Sequence, residues 1–309
     1  MATVVASPSA FRRRQIAIDR TLIHVVERGT AGRPAALFLH GWPQDWSSFE
    51  KVMLAMGDSR HLVAIDLPGI GLSEGSLPSN DKRSIARCVK GVIEALDLSD
   101  VTLIGHDAGA QVVFAYLHAF PDELSRAVMM NIVVPGVEPW SQVVRNPKIW
   151  HFAFHAVPEL PELLVAGHEA RYFDYFYNVL SARRDGVDGA ARARYVKAYG
   201  QPGALHTGFE WYRTFEQDEK DNLQTREHKV RTPVLYLRGQ REPGSMDDYL
   251  KGFRAAGLQD VRGGLIADSG HYAPDEQPQA VADAISRFIG LDKQPMHAAT
   301  PRGGERWTG

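Results

Sequence analysis

The sequence predicts an α/β protein with a mostly parallel, doubly wound sheet and an inserted helical lid. Apolar runs alternate with helical patterns in the first part of the chain, the middle contains helical patterns only, and the alternation then resumes. With 309 residues, 44% of them hydrophobic and 23% charged, the chain is long enough to bury a large core.

The first part of the core begins with a hairpin. Two alternating runs after residue 15 precede the apolar run AALFLH, which predicts a hairpin leading into a buried strand. The elements expected next are strands at 62–66, 101–104 and 127–133 and helices at about 82–96 and directly after Asp107. Strands that alternate with helices pair in parallel, so both faces of the sheet should be covered.

A helical insertion is expected to divide the core. Its residues are rich in aromatic side chains and histidine, at helical spacings and without a clear strand. The elements expected after it are a strand at 233–239, a helix near 247–256, a strand in GGLIADSGH and a last helix at about 280–289. The predicted organisation is a core at 15–134 and 229–290, a helical cap at 135–228, and loose termini at 1–14 and 291–309.

Charge, cysteine content and hydropathy limit the binding partners and the cellular location that the sequence predicts. A formal net charge of −2 gives no general attraction to nucleic acid or anionic membranes, and the basic run at 12–14 reads as a solvated flank. The single cysteine, Cys88, is expected to be buried and inert. The start lacks the pattern of a secretory signal, and no stretch reaches the ~18 apolar residues of a membrane span. We expect a cytoplasmic protein without nucleic-acid or membrane partners, and a homodimer stays open.

A tight turn between a strand and a helix carries the first candidate catalytic residue. The strand VTLI runs directly into GHDAG at 105–109, and a helical pattern follows. This is the context of a nucleophile elbow, in which the central residue has a strained backbone and small residues flank it. Asp107 would then point out at the carboxyl edge of the sheet, whereas its alternative role is that of a helix N-cap.

Three further motifs lie beside predicted strand ends. They are HGWPQ at 40–44, DLPGIGLS at 66–73 and DSGHYAP at 268–274. Together with the turn at 105–109, these motifs resemble the α/β-hydrolase family in their order, their spacing and their positions relative to strands, over about residues 15–290. The glycines within 66–73 do not complete a dinucleotide-binding fingerprint.

The resemblance implies a role for each motif. His271 would activate water, since imidazole titrates near neutrality. The backbone N–H groups of Trp42 and Ala108 would form an oxyanion hole for the Asp107 carbonyl oxygen. Pro43 follows Trp42, and the family often has a cis peptide bond there.

The acid that orients His271 is assigned to Glu242. It follows the strand PVLYLRG, where many family members place this acid, although a surface salt bridge is its alternative role. Some relatives place the acid after the preceding core strand, but Asn131, which has no charge, stands there. Asp247 and Asp248 look like helix-start residues.

An aspartate nucleophile narrows the chemistry, because a carboxylate displaces a leaving group at saturated carbon and forms an alkyl ester. This limits the resemblance to epoxide hydrolases and dehalogenases. The insertion is similar to that of a bacterial epoxide hydrolase subgroup with a histidine and tyrosine pair, matched here by His151 and Tyr212, although packing roles stay open for both. The other candidate substrate-binding residues are Phe152, His155, Trp211, His40 and Pro43.

Two alternatives to an epoxide hydrolase acting on an apolar or aromatic epoxide stay open. A haloacid or haloalkane dehalogenase would share the nucleophile. Dehalogenases of the similar families use arginine and tryptophan side chains, however, and this chain has Ala108, Gln111 and Phe152 at those positions. A catalytically degenerate binding protein is the second alternative, suggested by Asn131 and Ala108. His151 and His155 are spaced for a metal, but no third ligand supports one, so no cofactor is expected.

Overall fold

The computed structural model describes residues 10–290, so the predicted loose segments at 1–9 and 291–309 lie outside the described residues. The strands are β1 (Arg12–Ile18), β2 (Thr21–Gly29), β3 (Ala35–Leu39), β4 (His61–Ile65), β5 (Thr102–His106), β6 (Arg126–Met130), β7 (Val234–Gly239) and β8 (Val261–Ile266). The core helices are α1 (Glu50–Met56), α2 (Lys82–Ala95), α3 (Ala108–Ala119), α11 (Met246–Ala255), α12 (Ala273–Glu276) and α13 (Pro278–Phe288). The helices between β6 and β7 are α4 (Trp140–Val143), α5 (Trp150–Ala156), α6 (Leu160–Val165), α7 (Glu169–Leu180), α8 (Gly189–Tyr199), α9 (Ala204–Arg213) and α10 (Phe215–Thr225). Short 3-10 helices lie at Trp46–Phe49 and Pro147–Ile149.

The eight strands form one sheet in the order β1-β2-β4-β3-β5-β6-β7-β8. Strand β2 is antiparallel to both β1 and β4, and every other neighbouring pair is parallel. The predicted class, a mostly parallel α/β sheet entered through a hairpin, is therefore confirmed.

Both faces of the sheet are covered by helices. Consecutive residues of β3 show this, since Leu37 packs into one core with Val89 of α2, and Phe38 packs into the other with Val52 of α1 and Ile285 of α13. A strand places successive side chains on opposite faces, so a strand buried on both sides is apolar throughout. This explains why AALFL lacks the polar alternation of an exposed sheet.

The local sequence sets where helix α2 begins and which of its faces is buried. Asp81 caps its N-terminus by accepting a hydrogen bond from the Ser84 backbone N–H at 2.8 Å. Ile85, Val89 and Val92 recur at helical spacing and are buried against the sheet. The cap therefore fixes where the first turn of α2 begins.

The boundaries differ from prediction in two places. Strand β1 begins at Arg12, so the expectation of a loose segment to residue 14 is wrong for 12–14, because these residues pair with β2 and Arg14 Nε lies 2.9 Å from Glu27 Oε1. Strand β6 ends at Met130, short of the predicted 133, because Asn131 adopts a positive φ of 50° that leaves the strand conformation.

The insertion between β6 and β7 is helical, as the sequence indicates. Across residues 10–290, no helix combines the length and apolar character needed to cross a bilayer. Cys88 is buried in α2, and burial raises the pKa of its thiol to about 11, as expected of an inert cysteine.

Candidate active site

Asp107 occupies the sharp turn between β5 and α3. Its backbone lies at φ 49° and ψ −123°, a strained conformation for a residue with a side chain. The turn leaves no room for larger neighbours, since a Cβ atom on Gly105 would lie 2.3 Å from Gly109 O, and one on Gly109 would lie 2.3 Å from Leu39 O. The flanking glycines thus allow the close packing that presents Asp107 at the sheet edge.

The two carboxylate oxygens of Asp107 have different partners. The Trp42 backbone N–H donates to Oδ1 at 2.8 Å, and His271 Nε2 lies 3.5 Å from Oδ2. The Trp42–Pro43 peptide bond is cis, as the resemblance implies. Ala108 follows Asp107 and lines the same cavity, while its role as a second backbone donor stays a prediction.

Glu242 holds the other side of the His271 imidazole. Its Oε1 lies 3.0 Å from His271 Nδ1, so the acid after β7 is the one brought to the histidine. Asn131 Nδ2 donates to Glu242 Oε2 at 2.8 Å and to Gly270 O at 3.2 Å, and Arg238 Nε lies 3.6 Å from the same Oε2. Asn131 therefore ties the acid to the loop that carries His271, a role that the sequence did not reveal.

Charge pairing dominates the ionisation of the three residues. Burial alone would raise the pKa of Asp107, but the hydrogen bond and charge of His271 outweigh it and lower that pKa to about 2. Burial likewise opposes the His271 cation, yet the hydrogen bonds to Asp107 and Glu242 raise its pKa to about 10. At neutral pH the site therefore holds an imidazolium between two carboxylates.

His106 contacts the loop that carries His271. Its Nε2 lies 2.7 Å from His271 O, and its side chain is fully buried. Burial, together with the neighbouring His271 charge, lowers the pKa of His106 to about 4. A neutral His106 that donates from Nε2 fixes the backbone of His271.

Tyr212 of α9 and His151 of α5 face Asp107 across one cavity. Their ring centroids are 6.0 Å apart. Burial raises the pKa of the Tyr212 phenol well above its usual value and lowers the pKa of His151 to about 4, so both are neutral at pH 7. No residue within 10–290 forms a hydrogen bond with the Tyr212 hydroxyl or the His151 ring, which leaves both available to a ligand.

The cavity has a volume of about 630 Å³ and lies between the sheet edge and the helical insertion. Phe152, Trp211 and Phe215 supply aromatic walls near Tyr212, and Arg241 and Asp248 lie among the lining residues after β7. Such a site is concave and largely apolar with a few convergent polar groups, which is the usual character of a small-molecule pocket.

Three predicted substrate-binding residues do not line the cavity, and those expectations are corrected. His40 is fully buried, where Nδ1 bonds to Gly41 O at 3.0 Å and Nε2 accepts from Leu67 N at 3.0 Å. Pro43 turns its carbonyl to the Tyr177 hydroxyl at 2.7 Å. His155 is fully buried one helical turn beyond His151, with Nε2 2.6 Å from the Tyr172 hydroxyl. All three shape the surrounding protein rather than the cavity surface.

In the described part of the chain, no group of three or more His, Cys, Asp or Glu side chains is arranged to hold a metal ion. The polar groups that converge on the cavity can perform nucleophilic attack by a carboxylate, hydrogen-bond donation from a phenol, and proton transfer by an imidazole.

Comparison with known proteins gives consistent results. The family model described as alpha/beta hydrolase fold matches residues 34–278. The soluble epoxide hydrolase of Corynebacterium sp. (strain C12) is 29% identical over 286 residues, which cover 89% of this chain and 96% of that protein. The structure of wild-type Cfl2 from Burkholderia cenocepacia is 30% identical with a TM-score of 0.82, covering 90% of this chain and 96% of that one. The structure of epoxide hydrolase CorEH is 27% identical with a TM-score of 0.80, covering 91% and 99%.

Proposed function

Because this chain belongs to the alpha/beta hydrolase fold family, we propose that it is a cofactor-independent epoxide hydrolase that converts an epoxide to a vicinal diol. The observation that carries the proposal is the pairing, across one cavity, of the Asp107 carboxylate with two neutral donors, Tyr212 and His151. A carboxylate attacks saturated carbon, and two donors suit an epoxide oxygen that becomes an alkoxide. The similar proteins named epoxide hydrolases support the same activity.

The first step is the attack of Asp107 on an epoxide carbon. Oδ2 is the attacking oxygen, because Oδ1 is held by the Trp42 N–H and stays in that hydrogen bond. A bond forms between Oδ2 and carbon while the carbon–oxygen bond of the ring breaks. The electron pair passes to the epoxide oxygen, which Tyr212 protonates while His151 donates a second hydrogen bond.

The second step is hydrolysis of the ester on Asp107. His271 takes a proton from water, and the water oxygen adds to the carboxyl carbon of Asp107. Negative charge then collects on Oδ1, where the Trp42 N–H already donates at 2.8 Å. The bond between that carbon and Oδ2 breaks, and the departing alkoxide oxygen Oδ2 takes the proton of the hydroxyl group that water added. The diol leaves with Oδ2 as its second hydroxyl oxygen, while Asp107 is again a carboxylate and His271 again an imidazolium.

The resting charges balance across the two steps. The imidazolium of His271 is maintained by two carboxylates, and esterification removes the charge of one of them. The pKa of His271 therefore falls when the ester forms, and its proton is passed on to restore Tyr212 after the new hydroxyl has formed. The neutral imidazole, still held by Glu242 at 3.0 Å, is then the base required by the second step.

The substrate is an apolar or aromatic epoxide. The side chains nearest the Tyr212 ring are aromatic, with ring centroids of Phe152 at 5.6 Å and Phe215 at 5.3 Å, and both line the cavity. Burying an apolar substituent against these rings supplies binding free energy without unpaired polar groups. A panel in which small polar epoxides are turned over faster than aryl epoxides would contradict this assignment.

Removing the phenol of Tyr212 tests the proposed ring opening. We expect Tyr212→Phe to lower kcat for diol formation from an aryl epoxide by about 10²–10³-fold, since the alkoxide loses a preorganised donor. His151→Phe should slow the same step, whereas His151→Gln, which keeps a donor, should retain more of it. Diol formation and halide release from haloacetates are measured side by side.

The matched control is Tyr175→Phe, which removes a lid phenol that bonds to Trp150 and is not among the cavity-lining residues. It should leave turnover unchanged. A different result would identify a dehalogenase: the wild-type protein releases halide but forms no diol, and Tyr212→Phe releases halide at the wild-type rate.

A further inference from the structure

Lys82, a residue of the core, reaches the lid helix that carries Tyr212. It stands in the first turn of α2, and its side chain is only 3% exposed. Lys82 Nζ donates to Trp211 O at 2.7 Å and to Asp218 Oδ2 at 2.8 Å. A buried lysine is costly unless it is paired, so this contact is a built feature of the interface between α2 and the insertion.

The hydrogen bonds of the ammonium group are fully used. Thr214 Oγ1 is the third acceptor, at 3.3 Å, and a lysine ammonium has three N–H donors. Trp211 O belongs to the last turn of α9, whose carbonyl groups lack partners within the helix and carry the negative end of its dipole. Lys82 therefore caps α9 with a positive charge at the residue adjacent to Tyr212.

Asp218 locks the lysine in place from the other side. Its Oδ1 accepts the Lys82 backbone N–H at 2.7 Å while its Oδ2 holds Nζ, and its side chain is 2% exposed. One carboxylate of α10 thus binds both the backbone N–H and the side-chain ammonium group of Lys82 in α2. Phe215 completes the contact, since Lys82 Nζ lies 5.2 Å from its ring centroid and the Tyr212 ring lies 5.3 Å away on the cavity side.

We propose that Lys82 is a positioning residue for epoxide ring opening, which acts by holding α9 and so placing the Tyr212 hydroxyl against the substrate bound at Asp107. The inference rests on the proposed function. Lys82 does not line the main cavity and touches no reacting atom, so its effect passes through the Trp211 carbonyl. The ester hydrolysis step uses residues outside α9 and does not depend on it.

The discriminating experiment is a double-mutant cycle between Lys82→Met and Tyr212→Phe, with ester formation and ester hydrolysis measured separately in single-turnover reactions with an aryl epoxide. We expect Lys82→Met to slow ester formation by about 10²-fold, the scale of a displaced catalytic group, and to leave hydrolysis unchanged. In the Tyr212→Phe background, where no hydroxyl remains to be placed, Lys82→Met should have no further effect.

Further variants separate positioning from loss of folding. Lys82→Arg keeps a buried cation and should recover part of the rate of ester formation. Asp218→Asn keeps the shape but not the charge that holds Nζ, so it should slow the same step and can replace Lys82→Met in the cycle if that variant does not fold.

Arg60 is the control, because it donates to Ile289 O at the end of α13, away from the cavity. Arg60→Met should lower thermal stability without slowing ester formation.

The outcomes distinguish the two proposals. If the wild type forms an ester but Lys82→Met slows formation equally in the Tyr212 and Tyr212→Phe backgrounds, or slows both steps alike, Lys82 is a structural residue only. If the wild type forms no ester with epoxides, the proposed function itself is wrong and the role of Lys82 in ring opening falls with it.

Discussion

Asp107→Ala is expected to lower kcat for epoxide hydrolysis by about 10⁶-fold, the scale at which a hydrolase loses its nucleophile. The loss is large because Glu242, the other carboxylate that contacts His271, lies on the far side of the His271 ring and cannot replace Asp107 as the attacking group. Diol formation is measured under saturating substrate, and circular dichroism checks that the variant is folded.

The control for this prediction is Asp185→Ala. Its side chain is 82% exposed and pairs only loosely with Arg183, at 3.5 Å, so the substitution should leave turnover unchanged. An Asp107→Ala variant that is folded and keeps turnover close to that of the wild type would show that the attacking group lies elsewhere in the cavity.

Glu242→Gln is expected to lower kcat by about 10⁴-fold, the effect of replacing an orienting carboxylate by an amide in other hydrolases. The amide can stabilise the wrong tautomer of His271 and cannot stabilise its cation. Glu242 is also one of the two carboxylates that raise the pKa of His271 to about 10. Its loss should lower that pKa, so the variant imidazole becomes neutral at a pH where the wild type is still protonated.

The pKa is followed by NMR titration of the imidazole nitrogens in both proteins. Asn131→Ala is the companion variant, since it removes the 2.8 Å hydrogen bond to Glu242 Oε2 and keeps the carboxylate charge. It should reduce turnover less and leave the His271 pKa raised. An unchanged His271 pKa in Glu242→Gln would mean that this carboxylate does not stabilise the cation.

The fold was largely predictable because its signals are local. The apolar run AALFL predicts a strand buried on both faces, and GHDAG between a strand and a helix predicts the turn at Asp107, and both are found. Strand ends depend on single backbone angles, which explains why β6 ends before Asn131.

The site was predictable only in part, because its remaining contacts join distant segments. Asn131 and Glu242 are separated by 111 positions and Lys82 and Asp218 by 136, and no local spacing signals either pair. A motif also does not tell which way each side chain points. His155 shares a helix face with His151 but lies one turn further along, deeper in the protein. Its ring packs against Tyr172 and Phe209 instead of facing the cavity.

Formation of a covalent ester between Asp107 and an epoxide is tested most directly by the intact mass of the His271→Gln protein after mixing with an aryl epoxide. Glutamine cannot take the proton from water, so the ester should accumulate. We expect a mass increase equal to the whole epoxide, located on the peptide that contains Asp107. An unmodified His271→Gln protein, under conditions in which the wild type converts the same epoxide to diol, would contradict it.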